Sequence, residues 1–171
     1  MTATASPAQG LGTLRIAVVD DNAAMRGIVR SALGAFGVIH VYEAADVESA
    51  LNILRAERID VLICDWKMKP VDGLSLVRTL RDPEQSPCPL LPIIMLTAYA
   101  EPSRMKEAGD AGVTEFLVKP FAAEALYSRL QMIVNRPRPF VRTREFFGPD
   151  RRRMASGSQG PVRRGDAAVR S

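Results

Sequence analysis

Five polar residues of this sequence stand where an apolar run stops. Asp20 and Asp21 follow Leu14 to Val19, Asp65 follows Val61 to Cys64, Thr97 follows Pro92 to Leu96, and Lys119 follows Thr114 to Val118. Three carboxylates gathered at one place repel one another and titrate high unless a cation sits among them. Carboxylate oxygens around a hard divalent ion describe a Mg²⁺ site. The same set can carry phosphoryl transfer, where positioning and charge neutralisation do most of the work. Asp65 is then the nucleophile. Mg²⁺ held by Asp21 and Asp65, with Asp20 helping directly or through water, cancels the repulsion between the attacking oxyanion and an anionic phosphoryl group. Lys119 adds positive charge from the opposite side, and the Thr97 hydroxyl can hydrogen-bond a phosphoryl oxygen. Taken singly, an acid after a strand is commonly a helix cap and a lysine before a proline a solvated charge. The weight lies in all five occurring at strand ends.

The elements that must position them are legible as changes of period. Leu14–Val19, Val38–Tyr42, Val61–Cys64, Pro92–Leu96 and Thr114–Val118 read as short apolar strands. Between them lie helical patterns. From Ala23, capped by Asn22, the apolar face comprises Met25, Ile28, Val29, Ala32, Leu33 and Phe36, and Gly37 ends the helix. Ala45–Glu57 buries Val47, Ala50, Leu51 and Leu54; Gly73–Arg81 carries Leu74, Val77 and Leu80. Glu101–Gly112 is a weaker, more polar helix, and Ala122–Val134 buries Leu126, Leu130 and Ile133. Residues 82 to 92 hold four prolines and form a loop. Five strands alternating with five helices predict an α/β fold, a doubly wound parallel sheet with helices on both faces. In such sheets ligands bind at the carboxyl ends of the strands, where the five polar residues stand.

The formal charge of +4 is unevenly spread. Residues 1 to 134 hold 13 Lys+Arg against 16 Asp+Glu, net −3, and residues 135 to 171 hold 10 Arg against 3 acids, net +7. The basicity therefore belongs to the tail and does not make the globular part a nucleic-acid binder. Tail composition predicts that 135–171 is disordered and contains no helix-turn-helix output domain, with Arg144 to Arg153 its most distinctive stretch and docking on an acidic partner the sharper alternative. Residues 1–13 are expected to be a disordered leader without signal-peptide character, and no apolar run is long enough to cross a bilayer, so a cytoplasmic protein is expected. Cys64 and Cys88 have no zinc or disulfide spacing. His40, the only histidine, lies away from the candidate site.

Residues 14–134 resemble a response regulator receiver domain of bacterial two-component systems, similar to CheY. Asp20 and Asp21 match the family's acidic pair, Asp65 its phosphoacceptor, Thr97 its switch hydroxyl, and Lys119-Pro120 its lysine-proline pair. Asp72-Gly73 and Phe116 fall where the family keeps an Asp-Gly step and a switch aromatic. The resemblance implies the flavodoxin-like strand order 2-1-3-4-5. It also implies a Mg²⁺ cofactor bound by Asp20, Asp21, Asp65 and the backbone carbonyl of Lys67. By the same resemblance, Lys67 and Tyr99 stand at positions that in the family influence phosphoryl lifetime. The implied partners are a sensor histidine kinase or histidine phosphotransfer protein, and an output protein reading the face built from helix four, strand five and helix five. One departure is Pro70, a place later than usual, with Lys69 before it.

A stand-alone, non-enzymatic phosphorelay receiver is therefore the expected function. An aspartate-nucleophile phosphohydrolase is the first alternative, but its acid/base aspartate two places after the nucleophile is replaced by Lys67. An unphosphorylated receiver-like module is the second, and the intact Asp20, Asp21, Thr97 and Lys119 argue against it.

Overall fold

A computed structural model describes residues 10–152. Parallel strands β1 (Arg15–Val19), β2 (His40–Ala44), β3 (Val61–Asp65), β4 (Ile93–Thr97) and β5 (Glu115–Val118) pair in the order β2-β1-β3-β4-β5. Helices α1 (Ala23–Ala35), α2 (Val47–Ala56), α3 (Gly73–Arg81), α4 (Pro102–Ala111) and α5 (Ala123–Asn135) connect or follow them. This is the flavodoxin-like doubly wound sheet.

Every residue of β3 and β4 is buried, because helices cover both faces of the central strands. Alternation along the strands splits the core in two. Ile16, Val18, Val61, Ile63, Ile94, Leu96 and Leu117 meet Val29 and Leu33 of α1 and Leu126, Leu130 and Ile133 of α5. Ala17, Val19, Leu62, Cys64, Ile93, Met95 and Phe116 meet α2, α3 and Ala108 of α4. Residues i and i+2 of a strand therefore belong to one face, and i+1 to the other.

Helix ends follow local chemistry. Asn22 accepts from the Met25 amide, Asp46 from Ser49 and Asp72 from Ser75, each capping a helix. The α1 stripe differs from expectation at Ile28, which is 57% exposed, because Val29 and Leu33 centre the buried face. Strand β2 begins two residues later than its apolar run suggests. The Val38 amide bonds to the Leu33 carbonyl and so closes the helix end through Gly37, whose φ is 88°.

Both proposed domain boundaries need correction within the described residues. Leu11 is completely buried among the α1 and α5 residues, so the folded unit starts before residue 14. Residues 136–150 are ordered: β6 (Phe140–Arg142) and β7 (Phe147–Pro149) form an antiparallel hairpin. The hairpin rests on the α3, α4 and β5 side of the domain. Arg81 stacks on the Phe140 ring at 4.9 Å while donating to the carbonyls of Gly112 and Pro89, at 3.0 and 2.8 Å. Arg138 pairs with Glu115 at 2.9 Å, and Arg151 with Asp110. Gly112, left-handed at φ 106°, has no room for a methyl, which would fall 2.7 Å from Arg81 Cγ. Composition alone misreads this segment because a two-strand hairpin cannot bury its own apolar residues. The domain supplies the other half of the contact. The expected disorder of residues 1–9 and 153–171 lies outside the described residues.

Removing residues 138–171 is expected to lower the melting temperature by roughly 3 to 12 °C. This follows from about 1.5–3 kcal/mol for the apolar surface that the half-buried Phe140 and Phe147 cover together, and about 2–4 °C per kcal/mol at this size. Differential scanning calorimetry of the truncated and full chains measures it. Equal melting temperatures would show that the hairpin adds no stability.

Candidate functional site

Register places the candidate groups. Val19 pairs with Cys64 and Asp65 with Leu96, so Asp20, one residue beyond Val19, is level with Asp65. Thr97 pairs with Val118, and the Lys119 amide donates to the Thr97 carbonyl at 2.7 Å. Strand alternation then sorts them. Asp20, Asp65 and Lys119 continue the rows of Val18, Ile63 and Leu117 on the α1/α5 side, whereas Thr97 continues the row of Met95 and shares its side with Phe116. The charged trio and the Thr97-Phe116 pair thus occupy opposite faces of one sheet edge.

The trio is in contact. Lys119 Nζ lies 2.9 Å from Asp65 Oδ1 and 3.4 Å from Asp20 Oδ2. Asp20 is 1% exposed and is fixed locally: its Oδ1 accepts from the Asn22 amide at 2.9 Å, and its carbonyl accepts from Arg26 Nη1 at 2.7 Å. Oxygens of Asp20, Asp21 and Asp65 lie within 4.8 Å of one another, with Asp21 exposed. Burial pushes the Asp65 carboxyl above its usual range; Lys119 pulls it down, while Asp20 and Asp21 raise it further. For Lys119 burial pulls down, but the hydrogen bond and charge of Asp65 and the charge of Asp20 outweigh it, leaving the ammonium raised. Three oxygen-donor residues facing one opening, with more negative charge than the single lysine balances, fit a hard divalent ion.

A cleft of about 300 Å³ opens over Asp65, lined also by Trp66, Lys67, Asp72, Thr97, Tyr99, Arg104 and Lys119. Thr97 is brought to it, yet its hydroxyl is engaged within its own loop, accepting from the Tyr99 amide at 3.0 Å and donating to the Tyr99 carbonyl at 3.2 Å. Phe116 is not in the cleft; it is 6% exposed and packed in the core shared by α2, α3 and α4. Lys67 and Tyr99 meet at the rim, Nζ to Oη 3.5 Å. Asp72-Gly73 has a steric role: the Gly73 amide donates to the Trp66 carbonyl at 2.7 Å, and a methyl on Gly73 would fall 2.0 Å from the Asp65 carbonyl oxygen. The Lys69–Pro70 and Lys119–Pro120 peptide bonds are cis. Sequence reasoning missed Arg26, Trp66 and Arg104. Arg26 had a signal, being one turn past the acidic pair, but Arg104 had none, because its place depends on how α4 lies across the sheet.

Residues 16–131 match the response regulator receiver domain family. The chain is 36% identical over 123 residues to the chemotaxis protein CheY of Pseudomonas aeruginosa, an alignment covering 72% of this chain and 98% of that one. Among solved structures, CheY4 of Vibrio cholerae superposes with a TM-score of 0.65 at 35% identity, covering 70% of this chain and 98% of that chain. The receiver domain of the sensor histidine kinase PA1611 of Pseudomonas aeruginosa, with magnesium coordinated in its active-site cleft, gives 0.63 at 29% identity, covering 71% and 98%.

Because the folded pKa of Asp65 is raised above 3.8, the folded state holds the proton longer, and stability falls as pH climbs from 3.8 through the raised value. In chelator-treated buffer, Asp65→Asn is therefore expected to raise the melting temperature at pH 7. The gain should vanish below pH 3.8. A gain that persists in acid would mean that ionisation of Asp65 is not its source. Gly73→Ala should destabilise by about 1–3 kcal/mol or more in urea titration, as the Asp65 backbone is forced aside.

Proposed function

The chain belongs to the response regulator receiver domain family and is a receiver of phosphorelay signalling, and from that premise we propose that Asp65 is the side chain that takes up the phosphoryl group. The observation carrying this is the 2.9 Å contact of Lys119 Nζ with Asp65 Oδ1, inside a cluster of three carboxylates open to a cleft. Asp65 Oδ attacks phosphorus while the donor's bond to phosphorus breaks and the leaving group departs with the electron pair. Lys119 then has a phosphoryl oxygen as partner in place of the free carboxylate. Asp20, Asp21 and Asp65, with the main-chain carbonyl of Lys67, are the residues that would hold Mg²⁺. When bound, that ion supplies charge neutralisation around the transferring group.

Thr97 is the residue through which the charge is read. A phosphoryl group brings about −1.5 to −2 charge and three acceptor oxygens. Its pull on the Thr97 hydroxyl competes with the bonds that hydroxyl makes to Tyr99. Thr97 and Phe116 share the α4 side of the sheet, so a shift of Thr97 is transmitted to the ring and to the face of α4, β5 and α5. That face is the one offered to an output partner. The donor is a histidine kinase, directly or through a phosphotransfer protein. CheY-type receivers are signalling modules, and the only chemistry assigned to this chain is gain and loss of its own phosphoryl group. Among the described residues no helix is long and apolar enough to cross a membrane.

Incubation with acetyl phosphate and Mg²⁺, followed by intact-mass and peptide mapping, is expected to give one adduct on Asp65. Chelator or Asp65→Asn should abolish it. Lys119→Ala should retain metal binding, read by Trp66 emission, while losing the amide-shift response of the α4 face to phosphorylation. Labelling of another residue, or undiminished labelling of Asp65→Asn, would overturn the assignment.

A further inference from the structure

Arg104 is the cleft residue that the phosphorylation chemistry leaves without a role. It comes from the first turn of α4, and its guanidinium carbon lies 4.5 Å from the centre of the Tyr99 ring and 5.9 Å from that of Trp66. Lys67 approaches the same Tyr99 ring, its Nζ 5.7 Å from the centre. One half-buried tyrosine thus holds a cation from the β3–α3 loop and another from α4, both lining the cleft over Asp65. A guanidinium suits this post: it is planar, always charged and weakly hydrated, and it stacks on aromatic faces. Glu101 pairs with Arg104 at 3.4 Å but leaves it part of the cleft wall.

We propose that Arg104, held on Tyr99 and Trp66, is a donor-specificity residue: with Lys67 it makes the cleft mouth cationic and favours phosphodonors by their negative charge. This rests on the assignment of Asp65 as acceptor. Walls of one sign in a low-dielectric cleft raise the local concentration of oppositely charged solutes. In the interior, three carboxylates outweigh Lys119, so the rim cations supply the positive charge that an approaching anion meets first. The transfer itself is unchanged. With acetyl phosphate, Asp65 Oδ bonds to phosphorus as the phosphorus–oxygen bond breaks and acetate leaves with the electron pair. With phosphoramidate, whose nitrogen is already protonated, the phosphorus–nitrogen bond breaks and ammonia leaves. The first donor carries about two negative charges near neutral pH and the second about one, while both present the same transferring group.

Two measurements on the full chain test this. In the first, second-order phosphorylation rates are followed by mass for both donors, in Mg²⁺ and at several salt concentrations. Arg104→Gln is expected to slow acetyl phosphate roughly threefold to tenfold, at the low end of electrostatic steering, and phosphoramidate distinctly less, with a shallower salt dependence. Arg104→Lys keeps the charge and should recover most of the rate. In the second, Trp66, the only tryptophan, reports the local potential without any phosphorylation. Trp66 is 8% exposed, so acrylamide gauges access to the ring and iodide the potential along that access; Arg104→Gln should lower the iodide constant while leaving the acrylamide constant equal or higher. Equal slowing of both donors, or unchanged iodide quenching, would overturn the proposal and leave Asp65 as acceptor intact. Absence of any adduct on Asp65 in the wild-type chain would overturn both.

Discussion

The contact between Lys119 and Asp65 is the interaction on which the remainder of the site depends. It sets one ammonium against three carboxylates at an edge where burial already penalises charge. Neither side can relax by moving out. Asp20 is tied by Asn22 and Arg26, Asp65 is the last residue of a strand buried along its whole length, and the Lys119 amide is bonded to the Thr97 carbonyl. The negative excess is thereby stored where a divalent cation can use it. A cluster free to splay apart would bind such an ion weakly, because ordering the ligands would consume part of the binding energy.

The same rigidity bears on the proposed travel of a change of charge. Alternation puts the charged trio on the α1/α5 side and the Thr97-Phe116 pair on the α4 side of the sheet. On the proposed reading, chemistry and readout are separated by one backbone layer. Thr97 would be the link on that reading, since its carbonyl is bonded to the Lys119 amide while its side chain faces the cleft and the α4 side. Arg104 and Tyr99 add a second link from α4 to the cleft mouth, made of ring stacking rather than core packing. Helix α4 suits such a role: its N-cap side chain makes no capping bond, and only Ala108 and Gly109 of its residues are buried.

The C-terminal hairpin bears on the other end of that helix. Arg151 pairs with Asp110 near the α4 terminus, and Arg81 ties α3 to the α4–β5 turn at Gly112 while stacking on Phe140. The receiver match ends at residue 131, so Phe140 and Arg151 lie outside the part of the chain shared with the family, while their partners Arg81 and Asp110 lie within it. These contacts fasten the end of α4 remote from the cleft to α3 and β5, leaving the Arg104 end beside the cleft over Asp65.

The sequence by itself determined the sheet, the helices and the identity of the five polar strand-end residues. Short apolar runs can be satisfied only by strands covered on both faces, and each ends abruptly at a polar group. Strand order was not in the periodicity; it came with the family resemblance, because any order of five buried strands gives the same pattern. What the tertiary structure decided is everything that depends on two segments meeting. Register made Asp20 level with Asp65, alternation put Thr97 and Phe116 on the face opposite the charges, and the lie of α4 brought Arg104 onto Tyr99. Leu11 and the 136–150 hairpin were misjudged for the same reason. A segment too poor in apolar residues to fold alone can still be ordered by a surface that another part of the chain provides, and composition counts only the segment.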